Sequence, residues 1–178
     1  MEFSGFDPAD TQETIAFFAR VFAASADEEE GRTIGELVTN LIATTASPDL
    51  VGFFAKENDE IVGGIFFSRM VVPGGQRTFV LSPVAVATER QGTGVGQQLI
   101  SHGLDKMREA GVELVFTYGD PRYYCKTGFK QIAEAEVAAP YPLSMPFGWQ
   151  AQCLDGSPVP AMEGPTQCVS AFCDPKYW

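Results

Sequence analysis

Apolar residues recur along this chain with two periods, and the switches between them lay out the elements. Ile15, Phe18, Val21 and Phe22 fall at helical spacing. Ahead of them Asp10-Thr11-Gln12-Glu13 reads as an N-cap with a carboxylate three residues on. This helix should end near Ala24, and residues 3–6 before it predict a short strand. Ile34, Leu37, Val38, Leu41 and Ile42 make a second amphipathic helix, broken by Ser47-Pro48-Asp49. Leu50–Lys56 and Ile61–Val72 are rich in Val, Ile and Phe and flank Glu57-Asn58-Asp59-Glu60, a hairpin signature. Pro73-Gly74-Gly75 turns the chain into Thr78–Val86, the third strand of an antiparallel meander.

The helical period returns with Val95, Leu99, Ile100, Gly103, Leu104 and Met107, and Ala110-Gly111 ends that stripe. Glu113–Tyr118 is the next strand. Strand, helix, strand in this order predicts a parallel pair with a right-handed crossover. Asp120-Pro121 opens a short helix, with Asp as N-cap and Pro at the first helical position, and Gly128 terminates it. Phe129–Val137 should extend again. Pro140, Pro142 and Pro146 make 138–148 a loop, and Gln150–Leu154 and Cys168–Phe172 look like late strands. The pattern predicts an α/β (α+β) fold with a mixed, mostly antiparallel sheet. It reads as one domain over residues 1–178, with 138–178 as a loop and strand extension.

One junction carries candidate chemistry. Between the strand ending at Val86 and the helix from Val95 lies Glu89-Arg90-Gln91-Gly92-Thr93-Gly94-Val95-Gly96-Gln97-Gln98. Glycines let a backbone bend so that successive N–H groups point at one spot. A helix start adds unpaired N–H groups and the positive end of its dipole. The layout is that of an anion cradle, with a phosphate-bearing ligand as its occupant; the alternative is an ordinary strand-to-helix connection. Pro83 lies inside the preceding strand and lacks a ladder N–H, so pairing should be interrupted there. The exposed strand backbone could then receive an extended ligand as a surrogate strand.

Composition removes some partners. A formal net charge of −11 argues against a nucleic-acid surface, although it would suit a cationic substrate as well as plain solubility. No apolar run approaches the length of a membrane span, and acidic residues interrupt the N-terminus early, against a signal peptide. The four cysteines, Cys125, Cys153, Cys168 and Cys173, form no CxxC pair, and His102 is the only histidine. No metal site is expected from these spacings, and reduced thiols in a cytoplasmic protein are the simplest account. The acidic run Asp27-Glu28-Glu29-Glu30 reads first as a solvated helix entry and second as an attractor of a cationic acceptor.

Three kinds of glycine loop bind phosphate. A P-loop needs Lys-Ser/Thr after its last glycine, whereas Gly96 is followed by Gln97-Gln98. A dinucleotide fingerprint needs GxGxxG in the first unit of a parallel sheet; here Gly92-x-Gly94-x-Gly96 follows a meander. The third kind fits. Gln91-x-x-Gly94-x-Gly96 resembles the Q/R-x-x-G-x-G/A signature of the GNAT superfamily of acyl-CoA-dependent N-acyltransferases. Tyr123-Tyr124-Cys125-Lys126-Thr127-Gly128-Phe129 is similar to that family's F/Y-Y-x-x-x-G-F segment after the following strand. Residues 80–130 carry the resemblance, and residues 1–79 agree in element order. Gly119-Asp120-Pro121 and the Pro-Tyr-Pro at 140–142 resemble a bacterial subgroup of unassigned substrate.

The resemblance implies a GNAT-type sheet with a splayed parallel pair and helices on both faces. It implies acetyl-CoA as donor, with no metal. The pyrophosphate would sit on backbone N–H groups from Gly92 through Thr93, Gly94 and Val95 to Gly96 and Gln97, with Gln91 shaping the turn. The pantetheine arm would pair along Val84, Ala85 and Val86. Tyr124 matches the family's general-acid tyrosine; its other reading is core packing with a hydrogen-bonded phenol. Tyr123 would pack as its aromatic partner. No carboxylate lies between Thr78 and Thr88, Asp120 has a capping role, Glu113 starts its strand, and no base is assigned. The reaction implied is acetyl transfer to a primary amine of a small molecule or protein. A non-catalytic acyl-CoA-binding module and an O-acyltransferase are the alternatives. Tyr141, Phe147, Trp149, Tyr177 and Trp178 could line an acceptor pocket; core, rim or homodimer contacts are the simpler reading.

Overall fold

Burying the predicted apolar stripes takes eight strands and four helices, seen in a computed structural model that describes residues 1–178. The chain divides into two compact units, Met1–Phe67 with Pro83–Gly103, and Ser68–Ser82 with Leu104–Trp178. Strands pair in the order β1-β2-β3-β4-β5-β7-β6, with β8 also on β3, where β1 is Glu2–Gly5, β2 Leu50–Glu57, β3 Glu60–Val71, β4 Thr78–Val86, β5 Leu114–Tyr118, β6 Lys130–Gln131, β7 Trp149–Cys153 and β8 Gln167–Cys168. The helices are α1 (Thr11–Ser25), α2 (Glu28–Thr44), α3 (Val95–Glu109) and α4 (Pro121–Tyr124). β3, β4 and α3 contribute residues to both units.

In the first unit, β1 runs antiparallel to β2, from Glu2↔Lys56 to Gly5↔Phe53. The β2–β3 hairpin turns on Asn58 and Asp59, both left-handed, with φ of 51° and 66°. Two consecutive left-handed residues match the right-handed twist of the flanking strands, which is why Asn-Asp serves here. α1 buries Phe17, Phe18 and Val21, and α2 buries Ile34, Leu37, Val38 and Leu41. The rings of Phe18, Phe54 and Phe66 pack together at centroid distances of 5.7 and 5.9 Å.

The acidic run opens α2. Asp27 accepts a hydrogen bond from the Glu30 N–H at 2.8 Å, and Glu28, Glu29 and Glu30 occupy the first turn, where negative charge suits the dipole. This is the structural role of the two considered. Asp27→Ala should therefore lower unfolding free energy by about 1 kcal/mol in urea titration. An unchanged midpoint would remove the cap from the account. The other expected cap is displaced. Asp7 caps a short 3-10 turn at Pro8–Asp10, while Asp10 makes no capping bond and pairs instead with Lys56 Nζ at 3.0 Å.

In the second unit, β4 and β5 are parallel from Thr78↔Leu114 to Leu81↔Thr117. β5 and β7 are antiparallel from Leu114↔Cys153 to Tyr118↔Trp149. Phe116 stacks on Trp149 at 4.8 Å, and Trp178 meets Trp149 edge-on at 6.0 Å. Both indoles are buried and donate to carbonyls, Trp149 to Val137 at 2.9 Å and Trp178 to Phe172 at 3.0 Å. They are core residues, as the simpler reading had it.

Two extended stretches are shorter than expected. Only Lys130–Gln131 of 129–137 is strand, because Glu136 folds back to accept from the Ala133 N–H and turns the chain. Of 168–172 only Cys168 lies in strand, as the end of Gln167–Cys168, and Ser170–Phe172 is a 3-10 turn that buries Phe172.

Candidate active site

The glycine turn bends on two left-handed residues ahead of α3. Gly92 and Gly94 have φ of 75° and 88°, a region that L side chains rarely adopt. The ladder of α3 begins with the Gln98 N–H donating to the Gly94 carbonyl at 3.0 Å. The amides of Val95, Gly96 and Gln97 stand ahead of that ladder at the positive end of the helix. A Cβ placed on Gly92 would meet nothing within 4 Å, and one on Gly94 only the Gln98 side chain at 3.5 Å, so the concave side is open.

Side chains brace the turn from outside. Gln91 Nε2 donates to the Val86 carbonyl at 3.2 Å, tying the turn to the end of β4. Thr93 Oγ1 donates to the Arg90 carbonyl at 2.6 Å, and the Arg90 guanidinium pairs with Glu57. Arg90 is thus occupied, leaving backbone amides and the dipole as the cradle's positive features.

β4 presents its backbone next to the turn. The Ala87 N–H bonds to the Val62 carbonyl at 2.9 Å, which secures one side of the strand end. On the other side the register with β5 stops at Leu81↔Thr117, two residues before Pro83. Val84 and Val86 are partly exposed and Ala85 is buried, the alternation of a strand with one covered face. The parallel pair thus ends two residues ahead of the interruption expected at Pro83.

Tyr124 belongs to the second unit, at the end of α4. Asp120 caps this helix by accepting from the Arg122 N–H at 2.9 Å, and Gly128, with φ of 92°, closes the turn beyond it. The Tyr124 ring packs edge-on to Tyr123 at 5.1 Å and to Phe129 at 5.8 Å. Burial pushes its phenol up to about 12. The phenol therefore stays protonated at neutral pH, in the form a proton donor needs. Thr117 was missed by the sequence reading. It is fully buried, and its hydroxyl donates to the Leu81 carbonyl at 2.9 Å, where the β4–β5 register ends. Its one signal was a hydroxyl inside the apolar run Leu114–Phe116 and Tyr118.

The carboxylates near β5 are engaged elsewhere. Asp120 pairs with the Arg122 guanidinium at 2.9 Å as well as capping, and those bonds hold it below the usual carboxylate range. Glu113 accepts from the Arg77 N–H at 2.8 Å. His102, in the first unit, stacks on Phe3 at 4.8 Å and meets Phe53 edge-on, a packing role. No three His, Cys, Asp or Glu side chains are grouped to hold a metal ion, and no helix is long and apolar enough to cross a membrane. Of the candidate acceptor aromatics, Phe147 is 61% exposed and lines a cavity of about 510 Å³ with Pro121 and Met145.

Known proteins share this arrangement. A family model for the acetyltransferase (GNAT) domain matches residues 3–132. The uncharacterized N-acetyltransferase YjhQ of Escherichia coli K12 is 31% identical over 158 residues, covering 83% of this chain and 87% of its own. A crystal structure of the GNAT family N-acetyltransferase YhbS from Escherichia coli, in complex with CoA, superposes with a TM-score of 0.75 at 24% identity, covering 96% of this chain and 91% of that one. A GNAT family acetyltransferase from Brucella melitensis, in complex with acetyl-CoA, gives 0.71 at 26% identity, with 96% and 97% covered. The glycine turn after a meander, the parallel pair that ends at Leu81 and the match over residues 3–132 lead to one conclusion: the chain belongs to the GNAT acetyltransferase family.

Proposed function

We propose that the chain transfers the acetyl group of acetyl-CoA directly to a primary amine of a small molecule or protein. The observation that carries this reading is the left-handed pair Gly92 and Gly94 set before the first amides of α3. That geometry suits a pyrophosphate, and two solved relatives hold CoA or acetyl-CoA. In this reading the amides from Gly92 to Gln97 bind the pyrophosphate, and Gln91 keeps the turn in shape. The pantetheine amides pair with the β4 backbone along Val84, Ala85 and Val86.

The amine nitrogen attacks the thioester carbonyl and forms the C–N bond. The tetrahedral adduct then collapses, the C–S bond breaks, and sulfur leaves with the electron pair. Tyr124 donates a hydrogen bond to that sulfur. The phenol is protonated at neutral pH and gives its proton toward the sulfur as the C–S bond breaks, regaining one from water afterwards. The amine must shed one proton, and the thiolate gains one. Asp120 and Glu113 are committed to other partners, so neither is assigned as base, and the amine's proton passes to solvent.

The test is thiol release from acetyl-CoA across a panel of amines. The reading expects at least one amine to release CoA well above the rate of hydrolysis, with equal N-acetylated product by mass spectrometry. Binding of acetyl-CoA without release for any acceptor would make the chain a binding module. Ester products from alcohols, with no amide, would make it an O-acyltransferase.

A further inference from the structure

Two cysteines that share no short sequence motif are brought together near the C-terminus. Cys168 Sγ and Cys173 Sγ lie 3.9 Å apart across five positions of chain. The 3-10 turn at Ser170–Phe172 causes the approach, because the Cys173 N–H bonds back to the Ser170 carbonyl at 3.1 Å. That turn puts Cys173 Sγ 3.6 Å from the Val169 carbonyl and 3.9 Å from that of Cys168. Both ends are anchored. Cys168 pairs with Met70 in the β3–β8 ladder, and buried Phe172 packs on Tyr177 and Trp178 and accepts the Trp178 indole bond. Cys125 and Cys153 also lie 3.6 Å from a backbone carbonyl, of Arg122 and Pro158 respectively, but the sulfur–sulfur approach is that of Cys168 and Cys173.

We propose that Cys168 and Cys173 form an oxidative modification site, a dithiol that closes to a disulfide with a low-molecular-weight disulfide such as oxidised glutathione. Geometry assigns the order of events. Cys173 is exposed and Cys168 is partly buried, so Cys173 meets the oxidant first. Its thiolate attacks one sulfur of oxidised glutathione; the S–S bond breaks and one glutathione leaves as thiolate. Cys168 then loses its proton to water and attacks the Cys173 sulfur, expelling the second glutathione. Two protein thiols are oxidised, one small disulfide is reduced, and two protons are released. Closing the pair takes the sulfurs from 3.9 Å to a bond of about 2 Å. The Cys173 side chain, being exposed, can supply that movement by rotating about its Cα–Cβ bond.

Burial and the neighbouring Cys173 push the Cys168 thiol up to about 12. The second step therefore draws on a small thiolate fraction, offset by the high effective concentration of a neighbour. Burial first, and then the nearby Cys173 and Cys168, raise the Tyr141 phenol above its ordinary value. The disulfide would close a six-residue ring around Phe172, locking the turn on which Trp178 rests.

The test uses the full chain carrying Cys125→Ser and Cys153→Ser, treated with oxidised glutathione and followed by intact mass. The expected sequence is gain of one glutathionyl group, then its loss to a product lighter than the dithiol by two hydrogens, faster at pH 9 than at pH 7. With Cys168→Ser added, the glutathionyl group should persist; with Cys173→Ser added, it should form far more slowly. Dithiothreitol should restore the starting mass. A stable mixed disulfide with both cysteines present, or no reaction under conditions that oxidise a CxxC peptide, would overturn the proposal. The wild-type chain is run in parallel. Disulfides there that link Cys153 or Cys125 in place of this pair would also overturn it.

Discussion

Gly94→Val should abolish measurable CoA binding while leaving the fold intact. Gly94 sits at φ of 88°, and a β-branched residue is an outlier there, at a cost of about 1–3 kcal/mol. The protein itself has room for the side chain, since the nearest atom to a Cβ is Gln98 Nε2 at 3.5 Å. The effect therefore comes from the backbone and from the ligand side. Relieving the strain rotates the amides of Gly94 and Val95 away from a common point. Losing two charge-assisted bonds at about 1.5–3 kcal/mol each would raise Kd by a factor on the order of 10² or more. Calorimetric titration with CoA reads this, with circular dichroism confirming that helix content is retained. Unchanged affinity would remove the pyrophosphate from the turn. Gln91→Ala should do less, because it removes a single brace at 3.2 Å to the Val86 carbonyl and leaves the amides in place.

Tyr124→Phe should separate chemistry from donor binding. The substitution removes one hydroxyl and keeps the ring packed on Tyr123 and Phe129. Turnover should fall by roughly 10²- to 10⁴-fold, the usual worth of a positioned proton donor, with CoA affinity within about twofold of wild type. The pH profile adds a check that a packing role would not meet. Burial raises the folded phenol to about 12, above the unfolded value near 10, so the proton is held throughout the neutral range and lost only as pH rises toward 12. Wild-type kcat should therefore show no alkaline decline from this group below about pH 10. A decline between pH 7 and 9 that disappears in Tyr124→Phe would mean the phenol titrates there and its environment in the working complex differs. Normal turnover in the variant would refute the acid role.

Local signals made much of this fold legible. Thr78–Val86 was read with its true limits because β-branched and aromatic residues lie between a Pro-Gly-Gly turn and a glycine turn. Glu57-Asn58-Asp59-Glu60 between two β-rich runs predicted a hairpin, and Asn58 and Asp59 supply the left-handed residues its turn uses. Misreadings came where long-range contacts decide. Asp10 looked like an N-cap and is taken by Lys56, 46 positions away. Residues 133–137 look extended by composition but turn, the Val137 end being held by a bridge to Met162 and by the Trp149 indole. The left-handed turn at Gly92 and Gly94 could be expected because glycine spacing reports backbone directly. Thr117 and the Cys168–Cys173 pair could not. The first depends on strand register with Leu81, and the second on a turn that strand-like residues conceal.

Binding of the donor through its pyrophosphate at the Gln91–Gly96 turn is the step to measure. Its most direct measurement is calorimetric titration of the wild-type chain with CoA and, separately, with pantetheine, which carries the same thiol arm and no phosphate. The account predicts that CoA binds at least about a hundredfold more tightly, because the amides and dipole of α3 act on charge that pantetheine lacks. Equal affinity for the two would contradict it.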